Sequence, residues 1–429
     1  MMPGVSGLLL DLTPLRESAP YRRMWFGSTL SGLGSTLTAI VVGLQVYDLT
    51  GSTWSVGLVG LFALVPLVVF GLYGGAIADA HDRRAVILAM SAGVAATAAG
   101  FAAQAWLDLR SVGLLYGLVA VQSAFAAVNS AARSAVVPRL VGLSLLPAAN
   151  ALSSLSFGVA LSVGPLVGGL LVGTVGYGWT YAIEVVLAVL AITSLAGLPA
   201  LPPEGEVRRA GLRSVVEGIR FLATRPNIRS TFLIDLTAMV LAMPRVLFPA
   251  VAALYLGGGA TTVGILTAAI AAGSVLGGLF SGPVGRVNRQ GRAVVIAVAG
   301  WGLSIAGLGV LLAVVEPVAP PGAVRVGPLA AAALLLVLAG LADTISAIFR
   351  STILQAATPD ALRGRLQGIF IVVVAGGPRL GDVLLGGLGE RTTEAAAALV
   401  GGLACVVGVA LFAWRHPGFR AYDARDPRP

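Results

Sequence analysis

From 56 to 78 the chain carries no charge at all, and Gly71 and Gly75 give the end of this run a face of small residues. A helix that long and that apolar crosses a lipid bilayer. Asp79, Asp82, Arg83 and Arg84 then arrive within six residues, and a second apolar run begins at Ala85. A tight charged loop between two such helices belongs at a membrane surface.

Composition widens this to the whole chain. Of 429 residues 57% are hydrophobic and only 11% charged, where a soluble domain carries roughly 25% charged. No aqueous fold hides that much apolar surface, so the solvent is lipid. At about 20 residues per span plus short loops, the length suits twelve helices. A β-barrel would show alternation over about ten residues, whereas these runs are continuous. The expected fold class is therefore all-α, integral to the membrane, with twelve transmembrane helices in two six-helix halves.

All 28 basic residues are arginine, and the net charge is +9. Such a balance often signals nucleic acid. Here the positive-inside rule explains it, so no nucleic-acid partner is expected. The lone Cys405 lies in an apolar run, and His81 and His416 fall in surface segments. No disulfide, thiol metal site, cofactor or nucleophile–base set is expected, which argues against an enzyme. The N-terminal apolar patch is too short for a signal peptide.

The runs predict helix 1 at 24–46, helix 2 at 56–78, helix 3 at 85–106 and helix 4 at 112–130. Helices 5 and 6 follow at 148–172 and 179–198, helix 7 at 230–254, helix 8 at 262–284 and helix 9 at 293–315. Helices 10, 11 and 12 are expected at 329–348, 366–388 and 395–414. The polar segment 199–229 separates an N-terminal half, 1–198, from a C-terminal half with its tail, 230–429. Within that linker Leu212, Val215, Val216, Ile219 and Leu222 share one face, which predicts an amphipathic helix on the inner leaflet.

Arginines concentrate in alternate loops: Arg22, Arg23, Arg83, Arg84, Arg133, Arg139, the linker, Arg350, Arg363 and the tail. The opposite loops keep only Arg110, Arg325 and Arg391. Both termini are therefore expected in the cytoplasm. Trp54, Trp106 and Trp179 would mark the outer interface, and Trp25 and Trp414 the inner one.

The halves echo one another. ARSAVVP at 132–138 matches FRSTILQ at 349–355, each closing the fourth helix of its half. VGPLVGGLL at 163–171 matches GDVLLGGLG at 381–389, each in the fifth. These equivalences, with the loop after helix 2, resemble the major facilitator superfamily, whose halves are parallel repeats. Its loop pattern is Gly-xxx-Asp-Arg-x-Gly-Arg-Arg. Gly75, Asp79, Arg83 and Arg84 match it, whereas Ala80 and Asp82 stand where the pattern prefers Arg and Gly. The resemblance implies that Gly75, Asp79, Arg83 and Arg84 gate the inner side.

Helix 5 resembles the Gly-Pro-xx-Gly-Gly motif of the superfamily's exporters at Gly164, Pro165, Gly168 and Gly169, with Ala160 where Gly is preferred. Small residues there let helices approach closely in any case. In the family this element accompanies export by antiport. LRESAPYRRMWFGSTLSGLGS, STWSVGL, DLTAMVLAMPRVLFPAV and LQAATPDALRGRLQGIF resemble the branch that holds the enterobactin (siderophore) exporters and drug efflux pumps.

Ionisable groups inside spans cost about 2.5–3.5 kcal/mol each on insertion scales, so they are seldom idle. Six qualify: Glu184 in helix 6, Asp235 and Arg245 in helix 7, Asp343 in helix 10, Arg379 and Asp382 in helix 11. Arg379 and Asp382 are three apart and suited to a local pair. Glu184 falls in the outer third of its helix, where a polar interface anchor competes with a functional role. Asp235 lies nearer the cytoplasm, where water reaches it. The family fold implies that helices 1, 4, 7 and 10 line the central cavity. Asp235, Arg245 and Asp343 would then face the substrate path, joined by Gln45, Gln122 and Asn129 as hydrogen-bonding groups. The helix 4 arginine of proton-coupled drug pumps has no counterpart here, Arg133 standing at the helix end, so an aspartate would have to carry the proton.

The expected function is proton-driven export of a siderophore or drug-like small molecule by alternating access. The expected setting is the bacterial inner membrane, and the chain is expected to be a monomer. The alternative on the same fold is a lipid or lysolipid flippase. Asp343 and Arg245 are the expected coupling pair, Asp343 alternating between Arg245 and a proton.

Overall fold

The computed structural model describes residues 11–202, 220–279, 287–315, 317, 323–357, 360–423 and 425. The side chains at 72, 75, 76, 78, 79, 143, 144, 147, 355–357, 360–372, 374 and 375 also lie outside the described set. Most of the expected amphipathic linker helix falls outside these residues, and so do the surroundings of Gly75 and the side chain of Asp79.

Among the described residues the secondary structure is helical, without a strand. Lipid offers no partner for a free N–H or C=O, and a helix satisfies both within one segment. Helices 1, 2 and 3 are Ala19–Thr50, Thr53–Ala80 and Arg83–Trp106. The run Val112–Ala196 is broken at Gly142 and Gly176, both at positive φ, so it supplies helices 4, 5 and 6. A side chain at either position would be strained in that left-handed backbone, which glycine adopts freely.

Helix 7 departs from its expected shape. Its apolar run predicts one continuous helix over 230–254, but Pro226–Leu241 stops there and a short 3-10 turn begins only at Arg245. Pro244 brings no N–H and disfavours helical backbone in the residue before it, which breaks the ladder. The carbonyl of Ala242, left at the break, accepts a bond of 3.1 Å from the indole Nε1 of Trp301. Helices 8, 9 and 10 are Ala260–Leu279, Gln290–Val314 and Val326–Ala357. Helices 11 and 12 are Asp360–Arg391 and Glu394–Arg415.

Among the described residues, ten stretches are long and apolar enough to cross a membrane. One of them, Ala148–Ala196, holds two helices, and the charge-bearing Asp360–Arg391 adds another of sufficient length. The total is consistent with twelve.

The contacts group the chain into two units: Met1–Ala39, Val65–Gly164 and Val175–Ala210, then Ile40–Leu64, Pro165–Thr174 and Gly211–Pro429. The division follows the linker for most of the chain but assigns the second part of helix 1, the first part of helix 2 and part of helix 5 to the second unit.

In the first unit Tyr21, Met24, Ile87, Val128, Leu152 and Leu195 form a buried core. Polar tips on helix 1 pin it to helix 5, with Tyr21 Oη donating to Ala149 O at 2.9 Å and Trp25 Nε1 to Leu152 O at 3.2 Å. Trp106 and Trp179 meet edge to face at 5.6 Å. In the second unit helix 8 packs on helix 10, and helix 9 on helix 12, through glycine contacts. Lipid tails are as apolar as leucine, so close packing rather than escape from water holds such pairs together.

Candidate functional site

The second unit gathers three aspartates and three arginines on helices 7, 10 and 11. Asp235 forms a salt bridge with Arg350 through Oδ1 and Nη1, and each residue is only 3% exposed. Asp235 is thus buried, not reached by water as its position in the sequence suggests. Arg350 Nη2 also stands 3.5 Å from Asp343 Oδ1, and its Nε donates to Ser346 Oγ at 3.0 Å. Asp343 is the open member of the group, its side chain 35% exposed.

Arg245 lies at the break in helix 7 and is accessible. The charges of Asp382 and Asp343 both act on it, and Asp382 acts on Arg379 as well. Asp235 Oδ2 and Asp382 Oδ1 are buried without a hydrogen-bond partner among the described residues. The expected Asp343–Arg245 pair is therefore part of a larger set. The residue that joins it most closely is Arg350, which reads in the sequence as a positive-inside arginine. The seven-residue interval from Asp343 to Arg350, two helical turns on one face, is the signal that could have found it.

The other polar candidates have environments of their own. Glu184 is 1% exposed and bonded to Thr38 Oγ1 of helix 1 and Gln122 Nε2 of helix 4, the latter at 2.9 Å. It is a buried junction, not an interface anchor. Asn129 donates to Ser91 Oγ at 3.0 Å, and Arg133 donates to the same oxygen at 3.3 Å. Gln45 is buried on helix 1.

The helix 5 motif uses its glycines on two faces. Gly164 packs on Thr36 of helix 1, whose hydroxyl donates to Ala160 O at 2.8 Å. Gly169 packs on Gly264 of helix 8, where a Cβ on Gly264 would stand 3.1 Å from Pro165 O. Gly168 is buried.

Around the loop after helix 2, Asp82 caps helix 3 through Ala85 N at 3.1 Å and accepts from Leu201 N at 2.9 Å. Arg83 Nη1 donates to Ala135 O at 3.3 Å and Arg84 Nη2 to Ala196 O at 2.8 Å. The loop thus binds the ends of helices 4 and 6.

A second clasp holds the first turn of helix 2. Glu390, at the end of helix 11, accepts from Ser52 Oγ at 2.9 Å and Trp54 N at 3.3 Å, while Thr53 Oγ1 donates to Glu394 at 3.0 Å. A carboxylate at a helix N-terminus is favoured by the dipole. Below it, a Cβ on Gly57 would stand 2.6 Å from Asp382 O, so helices 2 and 11 touch backbone to backbone.

Helical spans, a broken helix lined with charge, and closely packed small residues define a membrane transporter. The solved structures that align with it share this fold. A nucleoside transporter NupG mutant aligns at a TM-score of 0.72 and 15% identity over 92% of this chain and 98% of that one. A D-xylose–proton symporter aligns at 0.67 and 12%, over 94% and 97%. The model for transmembrane secretion effectors, MFS_3, matches residues 10–428, and the chain belongs to this family of the major facilitator superfamily.

Among its relatives is an enterobactin exporter, EntS, of Citrobacter koseri, 30% identical over 93% of this chain and 92% of that protein. Its counterpart in Escherichia coli O1:K1 / APEC is 30% identical over 94% and 93%. The protein is a multi-pass membrane protein and a secondary transporter of a small molecule, not an enzyme.

Proposed function

We propose that the protein exports a siderophore or drug-like molecule from the cytoplasm in exchange for protons, by alternating access. The observation that carries this reading is the sharing of Arg350 between Asp235 and Asp343. One guanidinium neutralises one carboxylate, so the second, Asp343, is left to a proton or to the charge of Arg245. Asp343 is the looser and more open partner, so it takes the proton. Arg245, accessible beside it, holds an anionic or polar group of the substrate when Asp343 is protonated. The enterobactin exporters among the relatives favour a catecholate siderophore as substrate class. The clasp and the Gly57 contact support an outer seal, and Arg83 and Arg84 serve the inner gate. The arginine-rich loops support an inner-membrane setting with both termini in the cytoplasm, and the chain acts as a monomer.

The test is reconstitution into proteoliposomes with an imposed proton gradient, run beside counterflow. Asp343→Asn should abolish uphill transport and keep counterflow, because the amide mimics the protonated acid. Full uphill transport in that variant would remove Asp343 from the coupling role.

A lipid or lysolipid flippase is the second reading. A wholly apolar cavity of about 460 Å³, lined by Pro66, Phe70, Val121 and Phe125 among others, favours it. Movement of a fluorescent lysolipid across the vesicle membrane, dependent on the protein, would decide for this alternative.

A further inference from the structure

We propose that Glu184 is a second proton-carrying site, separate from the aspartates of the second unit, and that it binds a hydrogen ion and no part of the substrate. Glu184 sits eight residues past the break at Gly176, about 12 Å along the helix axis. Both carboxyl oxygens are engaged, Oε2 with Thr38 Oγ1 and Oε1 with Gln122 Nε2. Both partners are neutral. Helix 1 also presents Gly34, which leaves room for the side chain: a Cβ there would stand 3.1 Å from Glu184 Cγ.

The titratable neighbour is Tyr181, one turn earlier on the same helix, buried and stacked on Phe101 of helix 3 at 5.3 Å. It brings no positive charge, and no salt bridge to Glu184 occurs among the described residues. The contrast with the second unit is direct. Asp235 and Asp343 share a guanidinium, while Glu184 has none, and an ionised carboxylate buried without a counter-charge is strongly disfavoured.

The neutral acid fits the same geometry. Its proton lies on Oε2 toward Thr38, whose hydroxyl accepts it and turns its own hydrogen to the preceding helical turn. On release the proton passes to water, the carboxylate keeps the negative charge, and the Thr38 hydroxyl rotates to donate to it. Helices 1, 4 and 6 meet at this one group, so its charge state bears on how tightly they hold together. With 1% exposure and both oxygens occupied, no space remains for a substrate cation.

The experiment is infrared difference spectroscopy of the purified full chain in lipid nanodiscs, stepping pH from acid to alkaline without substrate. It needs no transport, so its failure leaves the Asp343 reading standing, and the reverse also holds. The wild type should lose a protonated-carboxyl C=O band that Glu184→Gln lacks throughout. Thr38→Val should keep the band and shift it, because the hydrogen bond to that carboxyl is gone. In proteoliposomes Glu184→Gln should lower the number of protons moved per substrate while counterflow persists, a change that a purely structural junction would not produce. Superimposable carboxyl bands in wild type and Glu184→Gln would overturn the proposal. Should Glu184→Gln fail to fold, Thr38→Val decides alone: a shifted band supports the site and an unshifted band refutes it.

Discussion

Arg350 shows how a residue's role depends on what faces it. In the sequence it closes an apolar run and reads as a cytoplasmic arginine. In the structure it is buried between Asp235 and Asp343. Removing it strands two carboxylates, and breaking a buried pair costs about 3–5 kcal/mol. Arg350→Ala should therefore lower the thermal stability of the solubilised protein sharply. The double variant Arg350→Gln with Asp235→Asn should recover most of that loss, since neither partner is left charged. A double variant no more stable than the single one would show that the pair is not what Arg350 contributes. Its sequence echo, Arg133, donates instead to the neutral Ser91 Oγ, which also accepts from Asn129. The echo is legible in sequence, but the difference in partners is not.

Among the elements, helices 7, 5 and 2 each separate pattern from packing. Helix 7 keeps its apolar run through a break that Pro244 already announced, and that break is what leaves Arg245 accessible. Helix 5 carries its glycines in one motif, yet Gly164 turns to helix 1 and Gly169 to helix 8. Helix 2 touches helix 11 at Gly57 with no space for a side chain. Overpacking of this kind costs about 1–3 kcal/mol, enough to shift a two-state equilibrium roughly 5- to 150-fold. Gly57→Leu should pry this contact open and slow transport by a similar factor. A reporter cysteine at Ser55, in a background without the buried Cys405, should then react faster with an impermeant maleimide added from outside. Equal labelling in the two backgrounds would argue against the outer seal.

At the scale of the whole molecule, the arginine asymmetry makes a topological prediction. A fluorescent protein fused after Pro429 should be bright, and alkaline phosphatase inserted at Arg110 should be active. The opposite pattern would invert the proposed orientation. The same asymmetry hid Arg350, because the rule that orients the chain counts arginines and says nothing of which ones are buried.

The sequence by itself determined the solvent, the helical class and the family. Those rest on local properties: the length of charge-free runs, the glycines that end them, and short motifs. Tertiary structure decided which charges meet. Asp235, Asp343 and Arg350 lie on two helices over a hundred residues apart, and Glu184, Thr38 and Gln122 on three helices. Apart from the seven-residue interval between Asp343 and Arg350, no spacing along the chain encodes those contacts. In a membrane the apolar pattern also says little about which face of a helix turns inward, because lipid and protein interior are equally apolar. Only packing sets that rotation, and with it the partner each buried charge receives.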